Sequence, residues 1–295
     1  MPKKIQQLEA VYGIIGKPVA HSLSPVMHNT AFKELKVNAV YKAFEVQEED
    51  LELFFQDLRE KDNPIFGINV TIPYKEAVLP LLDIINPFAE KVQAVNTVMI
   101  TKNRTLHGFN TDGPGFLSHL MELGFNTKNK RLAIVGAGGT TRAILSVLCM
   151  INERPDSIKL YNRTVKNAQA LVDDLGKRID TSMVEVVSQV EDLNIELADC
   201  LINTSSVGMN PKDEPIIDPD MLHRNLFVYD VIYNPPKTRL LRHAEQKGAK
   251  ISNGLGMLFY QGVLSLQHWA GMEIDPKVKT KMRRSLEEKA KEYES

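Results

Sequence analysis

The chain is short of cysteine, of excess charge and of long apolar runs, and each shortage excludes a class of protein. Cys149 and Cys200 are its only cysteines, far apart and each inside an apolar run. Without C-x-x-C spacing they read as small core side chains, not as a disulfide or a metal pair. Lys plus Arg number 36 against 37 Asp plus Glu, so no basic field for nucleic acid is present. No uninterrupted apolar run approaches the ~20 residues of a membrane span, and Met1 to Gln7 lacks the apolar core of a signal peptide. A soluble, cytoplasmic protein is expected. Its seven histidines form no H-E-x-x-H or clustered signature, so no metal site is expected. Internal repeats and low-complexity segments are lacking too.

What the chain does have is an ordinary apolar fraction of 43% and, at 295 residues, room for two compact domains. Its most telling stretch is Asn69-Val70-Thr71-Ile72-Pro73-Tyr74-Lys75-Glu76. Ile65 to Ile72 reads as a short buried strand, and Pro73 ends it and opens a helix. Lys75 then falls in the first helical turn, where the macrodipole disfavours a cation. Either it is a solvated lysine that tolerates the position, or it is kept there to transfer a proton.

Val11 to Gly16 reads as the first strand. Ser24 and Pro25 then signal a helix start, with Ser24 as N-cap and Pro25 in the first turn. Ser22 and Ser24 make either a plain cap with a loop serine or a carboxylate clamp, each hydrogen bond worth about 1.5–3 kcal/mol. Val40 to Val46 alternates as a strand, and Leu51, Phe54, Phe55 and Leu58 mark a helix behind an acidic first turn. Ala94 to Ile100 is a strand with polar Asn96 inside it, and Thr101 to Thr105 a hairpin turn. Asp112 closes the returning strand, either as a cap for the helix at Pro114 or as a partner for Lys75.

The second half opens with Arg131 to Val135, a strand that runs into Gly136-Ala137-Gly138-Gly139-Thr140-Thr141 and then a helix. Strand, glycine turn and helix in that order is the context of a dinucleotide site, although Thr141 occupies the place of the usual third glycine. The next strand, Ser157 to Tyr161, ends at Asn162-Arg163-Thr164 with Lys166 beyond. An NAD site offers a carboxylate there; this chain offers a guanidinium, which suits a 2′-phosphate and favours NADP. Further strands are expected around 184–187, 198–203, 226–231 and 249–251. Helices follow at 239–248, from Gly254 onward and at 277–293. Gln261 is either a ligand group or an interhelical hydrogen bonder. Alternating strands and helices imply an α/β fold with mainly parallel sheets.

Ser22-Leu23-Ser24-Pro25, the Asn69 to Lys75 run, Asn96-Thr97, Asn110-Thr111-Asp112, the glycine turn, Asn162-Arg163-Thr164 and Gly254 to Gln261 together resemble the shikimate dehydrogenase family, in its order and over nearly the whole chain. The resemblance implies an N-terminal α/β substrate domain over 1–113 and a Rossmann-type NADP domain over 114–252. It further implies C-terminal helices over 253–295 that return to the first domain. It implies Lys75 and Asp112 as the catalytic pair, Ser22 and Ser24 at the substrate carboxylate, and Thr71, Asn96, Tyr233 and Gln261 at ring hydroxyls or carboxylate. Gly136, Ala137, Gly138 and Gly139 would cradle pyrophosphate, Asn162, Arg163, Thr164 and Lys166 would face the ribose phosphate, and Val231 and Gly254 the nicotinamide. Two departures stand out: Asn167 where many NADP-dependent relatives carry a second arginine, and Tyr74 in place of phenylalanine. The expected activity is NADP-dependent interconversion of 3-dehydroshikimate and shikimate, by a monomer or a homodimer. The rival readings are a dual quinate/shikimate enzyme using NAD and a catalytically silent ligand sensor.

Overall fold

A computed structural model describes residues 9–292. Met1 to Gln7, read above for a leader, and Tyr293, the expected end of the last helix, lie outside the described residues. Contacts divide the chain into two units, Met1–Thr111 with Gln261–Lys289 and Asp112–Tyr260 with Ala290–Ser295.

The first unit runs β1 (Ala10–Gly16), α1 (Ser24–Leu35), β2 (Ala39–Glu45), α2 (Leu51–Asp57), β3 (Ile65–Val70), β4 (Ile84–Ile85), α3 (Pro87–Val92), β5 (Thr97–Ile100) and β6 (Leu106–Phe109). Its sheet has the order β2-β1-β3-β5-β6-β4. β1 pairs parallel with β2 and β3, as the helical crossovers require, whereas β5 is antiparallel to both β3 and β6. The hairpin expected at 101–105 is present, closed by Thr101 N–H on Thr105 O at 3.0 Å. Ile15, Ile68, Val98 and Leu106 of the strands pack with Phe55, Leu58 and Val78 into one buried core.

The helix expected after Pro73 does not form. Residues 72–78 are successive turns, followed by a single 3₁₀ turn at Leu79–Leu81. A helix would give the Lys75 carbonyl to Leu79, but that carbonyl instead accepts Val95 N–H at 2.8 Å, and Leu79 N–H goes to Glu76 O at 3.2 Å. Pairing with the incoming chain outweighs the local pattern, and the macrodipole argument for Lys75 falls with the helix. The helix of this region is α3, which Asn86 caps by accepting Phe88 N–H at 3.0 Å, with Pro87 in its first turn. The Asn-Pro signature that announces it escaped the sequence reading.

The second unit comprises α4 (Asp112–Glu122), β7 (Arg131–Val135), α5 (Gly139–Met150), β8 (Ser157–Tyr161), α6 (Val165–Gly176), β9 (Val184–Val187), β10 (Cys200–Asn203), β11 (Phe227–Asp230), α7 (Arg239–Gln246) and β12 (Lys250–Ser252). Its strands are all parallel in the order β12-β11-β10-β7-β8-β9. This is the doubly wound arrangement, and its switch point lies between β7 and β10, where ligands bind at the strands' carboxyl ends. Ala133, Leu201 and Val228 lie in its core against Leu241 and Ala244 of α7. Cys149 and Cys200 are buried free thiols.

The last two helices are α8 (Leu255–Ala270) and α9 (Pro276–Lys291). The division of the chain falls inside α8, whose residues from Gln261 onward belong to the first unit. There Trp269 Nε1 donates to Val98 O at 3.0 Å, fastening the helix to β5. Among the described residues no helix is long and apolar enough to cross a membrane.

Candidate active site

In the first unit, buried polar side chains from strands, loops and α8 meet one another. Asn69, at the end of β3, donates through Nδ2 to Asn96 O at 3.1 Å, Thr97 Oγ1 at 3.0 Å and Ser265 Oγ at 2.9 Å. Its Oδ1 accepts the Tyr41 hydroxyl at 2.7 Å. Asn96 Oδ1 accepts Thr111 N–H at 2.7 Å, while its Nδ2 donates to Thr111 Oγ1 at 2.9 Å and Gln261 Oε1 at 3.5 Å. Asn69, Asn96, Thr97, Thr111, Gln261 and Ser265 are all buried, so each bond is needed to offset lost hydration. The structure thus brings Asn96 and Gln261 together, and Gln261 is a hydrogen bonder within this unit. Tyr41 and Ser265 escaped the sequence reading, whereas Asn69, Thr97 and Thr111 stand in the motifs quoted above but were given no role; the available signal for Asn69, Thr97 and Ser265 was a polar residue in an otherwise apolar strand or helix.

Ser24 is not the cap of α1. The cap position belongs to Leu23, and Ser24 lies inside the helix with its own N–H held by Ser22 Oγ at 3.2 Å. Leu23 already has helical backbone angles, so the helix starts a residue early and Ser22 satisfies an orphan donor. Ser24 is buried, its hydroxyl beside the Tyr41 phenol, and Ser22 is half-buried. Thr71 N–H bonds Ile15 O at 2.9 Å, leaving the half-buried Thr71 at the carboxyl end of β3. Lys75 is half-buried between Tyr74 and Val78, both sealed in the core, and Tyr74 is anchored through its hydroxyl to Val46 O at 2.7 Å.

In the second unit, Gly136 follows β7 with φ +110°, a conformation that a side chain resists. A Cβ there would meet Thr204 Oγ1 at 2.6 Å, whereas nothing stands within 4 Å of a Cβ built on Gly138. The turn is closed on its protein side and open on the other. Thr141, where a third glycine was missing, braces it: Oγ1 accepts Gly138 N–H at 3.2 Å, donates to Gly136 O at 3.0 Å and lies 2.7 Å from Thr204 Oγ1. That last contact spans the switch point from α5 to the end of β10. Asn162 donates to Thr164 O at 2.9 Å, shaping the turn after β8, and Arg163, Thr164 and Lys166 are exposed. Asp112 is buried and is the first residue of α4 itself, so it does not cap a helix beginning at Pro114.

Val231, half-buried beyond β11, is held through Val231 N–H on Asn203 O at 2.9 Å, and half-buried Tyr233 follows it. Gly254 seals this backbone from behind: a Cβ would stand 1.9 Å from Val231 O. Gly254→Ala is therefore expected to shift the Val231 backbone and to destabilise the protein by about 1–3 kcal/mol, read as a lower urea midpoint. An unchanged midpoint would show that the close approach has slack.

An all-parallel doubly wound sheet with an open glycine turn at its switch point, joined to a second α/β unit, is that of a dinucleotide-dependent α/β oxidoreductase. The donor set fits a 2′-phosphorylated dinucleotide: backbone N–H groups open α5, and positions 162–164 carry no carboxylate. The profile of the shikimate dehydrogenase substrate binding domain matches residues 14–98. The chain is 44% identical over 268 residues to the shikimate dehydrogenase (NADP(+)) of Methanopyrus kandleri, covering 89% of this chain and 91% of that one. It resembles the crystal structure of shikimate dehydrogenase from Aquifex aeolicus with a TM-score of 0.85 and 37% identity, covering 96% and 99% of the two chains. It also resembles quinate dehydrogenase from Corynebacterium glutamicum in complex with NAD, with a TM-score of 0.84 and 28% identity, over 95% and 99%. The chain belongs to the shikimate dehydrogenase family.

Proposed function

We propose that the protein catalyses the reversible reduction of 3-dehydroshikimate to shikimate with NADPH. The observation that carries this reading is the 44% identity to an NADP-named shikimate dehydrogenase across most of both chains. Ser22 and Ser24 hold the substrate carboxylate, and Thr71, Asn96, Tyr233 and Gln261 read its hydroxyls or carboxylate. The buried amide and hydroxyl network behind Asn96 and Gln261 supports this role, because it fixes both side chains before any ligand arrives. Gly136, Ala137, Gly138 and Gly139 face the pyrophosphate, Asn162, Arg163, Thr164 and Lys166 the 2′-phosphate, and Val231 and Gly254 the nicotinamide. The nicotinamide, when bound, gives a hydride to the ketone carbon or takes one from the alcohol. Lys75 donates the proton that the carbonyl oxygen needs as the hydride arrives, and recovers it in the reverse direction. Asp112 orients that ammonium and binds substrate hydroxyl. It follows directly on Thr111, whose N–H Asn96 holds, while the Lys75 carbonyl is held by Val95. Both substrates are diffusible small molecules, so no membrane or nucleic-acid partner is required and a cytoplasmic location suits the reaction.

Rates with shikimate or quinate, each with NADP or NAD, test the reading. Turnover mainly with shikimate and NADP is expected; comparable rates with quinate or NAD would move the protein toward the dual-specificity branch, to which the likeness to quinate dehydrogenase points. Arg163→Ala should raise the KM for NADP about ten- to hundredfold while leaving NAD turnover almost unchanged, since a charge-assisted bond contributes about 1.5–3 kcal/mol. An equal change for both cofactors would remove Arg163 from the 2′-phosphate.

A further inference from the structure

Asp230 closes β11 and is fully buried, 0% exposed, and among the described residues no cation acts on its carboxylate. A buried carboxylate without a counter-ion is costly, and only the donors around it offset that cost. Three converge. Asn203 Nδ2 reaches Oδ1 at 3.0 Å from the end of β10, and Ile232 N–H reaches the same oxygen at 3.1 Å. Thr238 Oγ1 donates to Oδ2 at 2.7 Å, while accepting Leu241 N–H at 3.3 Å as the N-cap of α7. One carboxylate therefore pins the end of the neighbouring strand and both ends of the loop 231–238. Gly254 N–H on Ile232 O at 3.1 Å adds a fourth restraint to the same backbone.

An apolar side chain here would orphan the Ile232 N–H and the Thr238 hydroxyl, so the acid and the donors it gathers stand or fall together. What the acid supplies is a fixed path for Val231, the loop residue just beyond it. We propose that Asp230 is a positioning residue for hydride transfer: through Asn203, Ile232 and Thr238 it holds the Val231 backbone that sets the nicotinamide ring, and it takes no part in holding the adenosine end of the cofactor. The inference rests on the NADP-dependent reading above. Asn162 to Lys166, which serve the adenosine end, lie beyond β8, on the other wing of the sheet from β11.

The two ends of the cofactor give the test its two readouts on the full chain. Asp230→Asn keeps size and removes one acceptor. The binding constant for adenosine 2′,5′-bisphosphate should stay within about twofold of the parent's. The kcat for shikimate oxidation should fall about ten- to hundredfold, as misplacement of a reacting centre does. The deuterium isotope effect at the reacting carbon should rise, because the hydride step becomes limiting. Thr238→Val should reproduce the pattern more weakly and Thr238→Ser should restore it, which covers the case in which Asp230→Asn does not fold. Equal losses of bisphosphate affinity and kcat across these variants would reduce Asp230 to general scaffolding and overturn the proposal. So would an unchanged kcat and isotope effect. A parent that binds the bisphosphate yet turns over no shikimate would instead sink the functional reading, and the proposal with it.

Discussion

Lys75→Ala should lose about 10²- to 10⁴-fold in kcat for shikimate oxidation, with thermal stability close to the parent's and a KM changed by less than about threefold. Moving a proton at the reacting oxygen through a positioned side chain contributes a factor of that size, about 3–5.5 kcal/mol of barrier. The stability forecast follows from where the residue sits. Its backbone is fastened by the Lys75 carbonyl on Val95 N–H, and its neighbours Tyr74 and Val78 carry the burial, so truncating a half-buried side chain removes little packing. If Lys75 and Asp112 act as one proton-handling unit, Asp112→Asn should cost a similar factor, and the double variant scarcely more than the worse single one. Strict additivity would separate the two residues into independent roles. A Lys75→Ala enzyme turning over at the parent rate would remove the lysine from the chemistry altogether.

The second unit was legible because its signals are local. An apolar strand, a glycine turn and a helix follow each other within twenty residues at Arg131 to Met150, and no distant partner is needed to read them. The first unit's polar cluster was not, because its partners are remote: Asn69 bonds Ser265 across 196 positions of chain. No periodicity records such a meeting, so Asn96 and Gln261 were given roles, Asn69, Thr97 and Thr111 stood in motifs without one, and Ser265 went unread. Lys75 shows the opposite failure. The proline-to-helix signal at 73 is genuine, yet Val95, twenty residues on, captures the carbonyl that a helix would use. Thr141 was read as a defect in a glycine fingerprint. Its hydroxyl makes the bonds that brace the turn, so the departure from the pattern is a replacement of packing by hydrogen bonding.

Acid should destabilise the protein in two stages, and His28→Leu should remove most of the effect. His28 lies on the inner face of α1, fully buried, stacked on Tyr41 with ring centroids 4.5 Å apart, and among the described residues neither ring nitrogen has a hydrogen-bond partner. Burial pushes its pKa down from 6.5 to about 3. The folded state therefore binds fewer protons than the unfolded chain between those values. Stability is full above pH 6.5 and declines as pH falls, by about 1.4 kcal/mol per unit and at most about 5 kcal/mol in all. Asp230 works the other way: burial raises its pKa from 3.8 to about 6, so between pH 6 and 4 the folded state takes up a proton first and stability rises on acidification. The two nearly offset each other in that interval. Below pH 4 the offset ends, and Asp174, held down to about 2 by Arg178 and Arg142, adds its own loss in the same direction as His28. Urea midpoints should accordingly fall gently from pH 6.5 to 4 and steeply below it. In His28→Leu, which gives up a stacked ring but no hydrogen bond, the midpoint should rise between pH 6 and 4, as the Asp230 term is uncovered, and fall less steeply beneath. Parallel curves for parent and variant would mean that His28 takes up its proton as readily in the folded protein as in the unfolded chain, and that the stacked, apolar setting of α1 does not control its charge.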